Sequence, residues 1–94
     1  MLRQVNNKTV EGTGFLVTIP NIHEIRYVEH DRELSIVIEG GVRGGSVHWY
    51  IYSSTLKNWL PPHNQHALTD GDRKRVLANI SDSLRLLGLD FEID

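Results

Sequence analysis

The sequence predicts an α+β fold, in which an antiparallel meander of three to five strands carries one long amphipathic C-terminal helix on one face. Before residue 55, short stretches rich in β-branched and aromatic residues are separated by turn signals, a pattern typical of strands. After residue 69, apolar residues recur at helical spacing, and the chain ends on a short alternating segment. A sheet covered on one face by the helix is the simplest arrangement that buries both patterns.

The predicted strands are joined by short polar or glycine-rich connections. They are "GFLVTIP" (14–20), "EIRYVEH" (24–30), "ELSIVIE" (33–39) and "SVHWYIYSS" (46–54). Pro20 ends the first of them, because proline cannot donate to a sheet ladder. The second and third strands flank His30-Asp31-Arg32, a tight polar connection suited to a hairpin, and "GGVRGG" (40–45) supplies a flexible turn into the last.

The helix is predicted over about residues 70 to 87. Thr69 is a candidate N-cap, and Asp72, three residues later, completes a variant of the capping box. The apolar stripe that should face the sheet consists of Val76, Leu77, Ile80, Leu84 and Leu87. Gly88 stands where a left-handed C-cap residue is expected. The tail "LDFEID" alternates apolar and acidic residues, which predicts a short final strand with an acidic outer face.

Alternation in the strand around residues 46–53 predicts which side chains face the helix. Val47, Trp49 and Ile51 are expected under the helix. His48, Tyr50 and Tyr52 point the other way and are expected to form an open aromatic face.

Composition narrows the possible classes of function. The 94 residues are expected to form a single domain over 1–94, and the net charge of −2 argues against general affinity for nucleic acid. Without cysteine there is no disulfide framework, thiolate zinc site or cysteine nucleophile. The N-terminus lacks the apolar segment of a signal peptide, and no apolar run reaches membrane-spanning length. We therefore expect a cytoplasmic protein that needs no cofactor.

His63 and His66, in "HNQH", form a candidate catalytic or metal-binding pair. Residues three apart share one face if the segment is helical, so the two imidazoles could share a metal ion. A third ligand would have to come from scattered residues such as Asp70 or His48. No nucleophile or phosphate clamp stands at a meaningful spacing, so a small histidine- or metal-dependent hydrolase remains the alternative rather than the leading hypothesis.

The segment "NWLPPH" reads instead as a rigid joint between sheet and helix. Residues that precede proline are pushed toward extended conformations, so this segment cannot be helical. Arg73 projects near the centre of the apolar stripe and needs a carboxylate, loop carbonyls or the face of Trp59 as its partner. We interpret one set of residues as a structural corner, in which the histidine hydrogen-bonds the loop: Trp59, Pro61, Pro62, His63 and Arg73.

The Trp-x-Pro-Pro-His segment, followed by Leu-Thr, a charged helix with an arginine and a final Leu-Gly, resembles the immunity protein 74 family of bacterial polymorphic toxin systems. The matching residues are Trp59, Pro61, Pro62, His63, Leu68, Thr69, Arg73, Leu84 and Gly88. With the preceding hairpin, the resemblance covers residues 33–88. It implies a non-enzymatic cytoplasmic protein that binds a cognate toxin C-terminal domain, often a nuclease, as in contact-dependent growth inhibition.

On this hypothesis, aromatic anchors and an acidic rim would meet a basic toxin surface in a tight one-to-one complex. The candidate toxin-binding residues are His48, Tyr50 and Tyr52 on the open face, Glu29, Asp31 and Glu33 near the hairpin turn, and Glu92 and Asp94 on the tail. No direct contact with nucleic acid or membrane is expected. The free protein is expected to be a monomer or a weak homodimer, and self-association through a sheet edge is a third possible role.

Overall fold

The computed structural model describes residues 2–93. Its strands are β1 Arg3–Asn6, β2 Thr9–Gly12, β3 Phe15–Asn21, β4 Glu24–Glu29, β5 Arg32–Arg43, β6 Ser46–Ile51 and β7 Phe91–Ile93. A 3₁₀ turn, Ser53–Thr55, follows β6, and the helix α1 spans Asp70–Leu86. This arrangement confirms the predicted α+β fold, with one long helix and a short final strand.

The strands follow one another across the sheet in chain order, β1 to β7. Neighbours pair antiparallel from β1 to β6, as a meander should, whereas β7 pairs parallel to β6 because α1 returns the chain to the starting end of that strand. The described sheet has seven strands, more than the three to five predicted. The additional strands are β1 and β2, whose short, largely polar sequences "RQVN" and "TVEG" carry too few apolar residues to be recognised by pattern.

Strand β5 runs for 12 residues and changes partner along its length. Residues 32–37 pair with β4, and residues 38–43 pair with β6. The sequence predicts that this strand ends at Glu39, but it continues through Gly40 and Gly41. A Cβ atom at Gly40 would lie 3.1 Å from the ring of Trp49, so this glycine gives space to an aromatic ring on the neighbouring strand.

The β5–β6 turn consists of Gly44 and Gly45, with φ angles of 59° and 83°. Both values lie in the left-handed region, where a residue without Cβ has no steric penalty. Gly44 and Gly45 thus set the hairpin register, which brings Glu39 opposite Tyr50.

The helix covers the sheet face formed by alternate residues of β3, β4 and β5. The buried hydrophobic cluster consists of Val17, Ile25, Tyr27, Leu34, Ile36, Ile38, Ile51, Leu56, Trp59, Leu68, Val76, Ile80 and Leu84. The prediction for β6 holds only in part, because Ile51 is buried and Trp49 packs against the cluster, but Val47 is 57% exposed. Val47 lies near the hairpin tip, beyond the part of the sheet that α1 covers.

The predicted ends of the helix are confirmed. The Thr69 hydroxyl accepts from the Asp72 N–H at 3.0 Å, and the Asp72 carboxylate accepts from the Thr69 N–H at 3.1 Å, forming the capping box. The backbone hydrogen bond from Thr69 lowers the pKa of Asp72, with a further contribution from Arg75. At the other end, Gly88 has a φ of 74°, as a left-handed C-cap position requires.

Candidate protein-binding surface

The sheet face opposite α1 is open along its length. It carries the side chains of β3, β4 and β5 that alternate with the buried set, and the same alternation continues through β6 and β7. His48, Tyr50 and Glu92 lie on this face, as the sequence predicts. The pairing of β6 with β7 therefore brings Glu92, near the end of the chain, beside residues from its middle.

Tyr50 lies between two glutamates on this face. It is opposite Glu39 of β5 in the antiparallel register and opposite Glu92 of β7 in the parallel register. The His48 and Tyr50 rings meet edge to face, with centroids 5.1 Å apart and an angle of 71°. The Tyr52 hydroxyl donates to Glu39 Oε2 at 2.8 Å. We name these five residues the aromatic–acidic patch.

His48 contributes a buried polar atom to the aromatic–acidic patch. Its Nε2 makes no hydrogen bond in the structure, although Glu92 Oε1 is 3.5 Å away. The His48 side chain is only 15% exposed, whereas that of Glu92 is 51% exposed. A small rotation of the glutamate would give this nitrogen an acceptor when it is protonated. The patch thus combines π faces with carboxylates, the groups that bind arginine and lysine side chains.

Glu33 lies further along the open face, in a network with Arg26. Arg26 donates to Glu24 Oε2 at 2.8 Å and to Glu33 Oε2 at 3.1 Å. Hydrogen bonds from Ser35 and then Arg26 lower the pKa of Glu24. The negative charge of Glu33 is therefore partly neutralised by its neighbour, which weakens its capacity to attract a distant partner.

Glu29 lies on the helix side of the sheet and not with the open face. Arg75 of α1 donates to both of its carboxylate oxygens, at 2.7 and 2.9 Å, and the Tyr27 hydroxyl donates to it at 2.8 Å. Burial raises the pKa of Glu29, but the hydrogen bonds from Arg75 and Tyr27 outweigh burial and keep it below the usual value. Glu29 thus has a structural partner that accounts for both of its oxygens.

Asp31 is also separate from the patch. Asp31, at the tip of the β4–β5 hairpin, is 78% exposed, with Oδ2 3.3 Å from His63 Nε2. Asp94 lies outside the described residues.

The segment Trp59–His63 of the predicted corner forms a turn beside β5. Trp59 is 1% exposed, and the Leu60 N–H donates to the Glu33 carbonyl at 2.8 Å, which fixes the segment against β5. The Pro61–Pro62 peptide bond is cis. The backbone N–H of His63 donates to the Leu60 carbonyl at 3.0 Å, closing the turn.

Arg73 finds its partner among the loop carbonyls. Its Nε and Nη2 both donate to the Leu56 carbonyl, at 3.2 and 2.9 Å. The cation over the Trp59 ring is instead Arg32, whose guanidinium carbon is 5.6 Å from the ring centroid. The sequence leaves three types of partner open for Arg73, and in the structure the partner is a loop carbonyl. Asp70 contributes a longer contact, with its Oδ1 3.9 Å from Arg73 Nη1.

The side chains of His63 and His66 have different surroundings. His63 is directed toward Asp31, and His66 is exposed and contributes its backbone to the turn. Residues 2–93 contain no group of three or more histidine and carboxylate side chains arranged to hold a metal ion.

Glu39 is the member of the aromatic–acidic patch that the sequence analysis missed. A signal for it exists, because a two-residue turn at Gly44-Gly45 sets Glu39 opposite Tyr50. When all six residues of "GGVRGG" are taken as a flexible turn, the strand register across the hairpin cannot be predicted.

A family model described as immunity protein 74 matches residues 10–94. The chain belongs to the immunity protein 74 family. The match includes the 33–88 segment of the resemblance and extends it to most of β2 and to β3, β4 and β7. Searches of the curated proteins and of the solved structures gave no significant match. Among the described residues of this immunity protein 74 family member, no helix has the length and apolarity to cross a membrane.

Proposed function

We propose that this immunity protein binds and neutralises the toxin C-terminal domain of a polymorphic toxin system. Binding is one-to-one and non-catalytic, and it occurs in the cytoplasm of the producing cell. The toxin is a nuclease, whose substrate-binding surface must be basic because it holds a phosphate backbone. The aromatic–acidic patch covers that surface.

One observation carries this proposal: Tyr50 lies between Glu39 and Glu92 on an open sheet face. Tyrosine at the centre of a surface offers a large contact area with little loss of side-chain entropy on binding. The carboxylates on either side provide partners for toxin arginines and lysines, and they raise the rate of encounter with a positively charged surface. Such a surface competes directly with nucleic acid for the toxin.

Family membership supports the immunity role, and the chemistry of the patch supports the nuclease as the target. The patch is formed by strands whose opposite face packs against the buried cluster, so its shape is largely preformed. A preformed surface loses little conformational entropy on binding, which favours a long-lived complex.

The experiment is co-expression of this protein, carrying an affinity tag, with the toxin domain encoded directly upstream of it. We expect rescue of growth, and co-purification of the toxin at a ratio of one to one. The matched variants are Glu39→Lys and Glu11→Lys, two exposed glutamates at opposite ends of the open sheet face. Rescue by the wild type and by Glu11→Lys, but not by Glu39→Lys, supports the proposal. Growth arrest with the folded wild-type protein, or no co-purification, contradicts it.

A further inference from the structure

The β5–β6 hairpin extends beyond the rest of the sheet. β4 begins at Glu24, which pairs with Val37, whereas β5 continues to Arg43. The Ile22–His23 turn lies beside Ile38, because the Ile38 N–H donates to the His23 carbonyl at 3.0 Å. Beyond that point, residues 40–43 have β6 on one side and no strand among the described residues on the other.

The backbone groups on this outer edge can be assigned from the Ile38 hydrogen bond. Alternate residues of a strand direct their N–H and C=O groups to the same edge, so Gly40 and Val42 point outward as Ile38 does. Neither has an outward hydrogen bond to any residue within 2–93. Native sheets usually protect such an edge with proline, lysine or a bulge, and the side chains of Gly40, Gly41 and Val42 provide no such protection.

One face of this edge is apolar and exposed. Val42 is 79% exposed, Val47 57% and Ile22 63%. With Trp49 they line a groove of about 390 Å³ that runs beside the edge. Contiguous apolar surface of this kind, next to unpaired backbone groups, suits a partner that contributes both main chain and apolar side chains.

The opposite face of the same edge is acidic. Glu39 lies there, directly before the unpaired residues, and accepts from Tyr52 through one of its two carboxylate oxygens. A strand added at this edge would point successive side chains alternately toward the apolar groove and toward Glu39. Charge complementarity then requires that the side chains directed toward Glu39 be cationic.

We propose that the outer edge of β5, residues 40–43, accepts an extended segment of the toxin as an additional strand, with apolar and cationic side chains in alternation. This inference rests on the proposed function and states how the toxin engages the ribbon that carries the patch. The backbone contacts supply affinity, and the alternating side chains supply specificity.

Hydrogen exchange resolved by residue, on the full ¹⁵N-labelled chain with and without the co-purified toxin domain, tests the proposal. In the free protein, the outward Gly40 and Val42 amides exchange fast, whereas the inward Gly41 amide is bonded to β6 and serves as the internal control. In the complex, we expect the Gly40 and Val42 amides to slow by roughly tenfold or more. A complex in which they still exchange fast would overturn this inference and leave the proposed function standing.

A substitution gives an independent readout. Val42→Pro removes one outward donor and leaves the bonds between β5 and β6, because proline is tolerated at a free edge. Val42→Thr is the matched control, since it keeps the N–H group and nearly the same shape. We expect Val42→Pro to weaken toxin binding by roughly tenfold, the scale of one hydrogen bond, and Val42→Thr to bind as the wild type does.

The other outcomes of these two experiments show whether the toxin or a second copy of this protein binds the outer edge of β5. If Gly40 and Val42 become protected in the protein alone as its concentration rises, a second copy occupies the edge and the inference is wrong. If no toxin complex forms at all, both this inference and the proposed function fail. If Val42→Pro loses binding only because it unfolds, thermal unfolding will show it, and the exchange experiment on the wild type decides.

Discussion

Arg75 of α1 donates two hydrogen bonds to the carboxylate of Glu29 on β4, at 2.7 and 2.9 Å. The residues are 46 positions apart in sequence. The pair joins the first turns of the helix to the end of a central strand, and the Tyr27 hydroxyl donates to the same carboxylate. Glu29, which the sequence suggests for toxin contact because it is an acidic residue near the hairpin turn, is therefore part of the connection between helix and sheet.

Glu29→Gln should destabilise the protein without affecting toxin binding. The substitution keeps the shape but removes the charge that Arg75 binds, so we expect a loss of about 1 kcal/mol, moderated because Arg75 is 45% exposed. Chemical denaturation measures the loss, and the toxin co-purification assay measures binding. Glu11→Gln is the control for stability, because it breaks only an exposed ion pair between Glu11 and Arg3. Weaker toxin binding by a folded Glu29→Gln protein would show that Glu29 does take part in toxin binding.

The same pair predicts a dependence of stability on acid. The folded protein holds the pKa of Glu29 below its usual value of 4.5, so the pair stabilises the fold above that pH. As the pH falls below 4.5 toward the folded-state pKa, this contribution is lost. Acid titration of the free energy of unfolding should show a smaller decrease in Glu29→Gln than in the wild type. Parallel curves would contradict the assignment.

Tyr27 should give the stability of the fold a second dependence on pH, in the alkaline range. Burial raises its pKa from 10.0 to about 12, and its hydroxyl also accepts from the Asn79 side chain at 3.0 Å. A raised pKa means that this contribution is complete below pH 10 and is lost as the pH rises toward 12. Tyrosinate absorbance should show a late titration step in the wild type, absent in Tyr27→Phe. An early step from all tyrosines would show that Tyr27 is solvated.

Arg73→Met should destabilise the corner between sheet and helix. It leaves the Leu56 carbonyl without its donor, at a cost of about 1 kcal/mol, because Arg73 is 40% exposed and water can partly replace it. Lys74→Met removes the same charge from the next, exposed position and should be nearly neutral. Thermal unfolding of both variants measures the difference. Equal midpoints would show that the carbonyl contact contributes nothing.

The His63→Ala, His66→Ala double substitution separates the corner from a hydrolase site. We expect a small loss of stability from His63, whose partner Asp31 is mostly exposed, and none from His66. Toxin binding should be unchanged, because the loop that carries both residues lies against the start of β5, whereas the patch residue Glu39 lies further along that strand. Assays of the purified wild type with nucleic acid and ester substrates complete the test. An activity that the double variant loses while folded would establish the alternative.

Local chemistry made much of the fold predictable. The helix begins at the Thr69 capping box and ends before Gly88. Each of these end signals depends only on residues within one helical turn of that end. The His30-Asp31 connection likewise needs only its own sequence, with His30 at a φ of 56°. Strands β1 and β2 carry few apolar residues, and β1 is exposed throughout, so their positions follow from backbone pairing with the neighbouring strand and not from a pattern in their own sequence.

The features of the site that could not be predicted from the sequence depend on contacts between residues far apart in the chain. The face of His48 and Tyr50 follows from alternation alone, but the partner of Glu29 is on α1 and the cation over Trp59 is Arg32, not Arg73. Val47 obeys the alternation and is still exposed, because the extent of helix cover is a property of the whole fold. Each of these depends on how elements distant in sequence meet.

The proposed function requires that Tyr50 and its two neighbouring glutamates bind the toxin. The most direct measurement is the dissociation constant of the toxin complex, by titration calorimetry, for the wild type, Tyr50→Ala and Leu16→Ala. Leu16 is a partly buried residue at the far end of the open face and provides the control. We expect Tyr50→Ala to weaken binding about 30-fold or more, because Tyr50 is at the centre of the patch, and Leu16→Ala to bind nearly as the wild type does. Wild-type affinity in a folded Tyr50→Ala protein would contradict the proposed function of the patch.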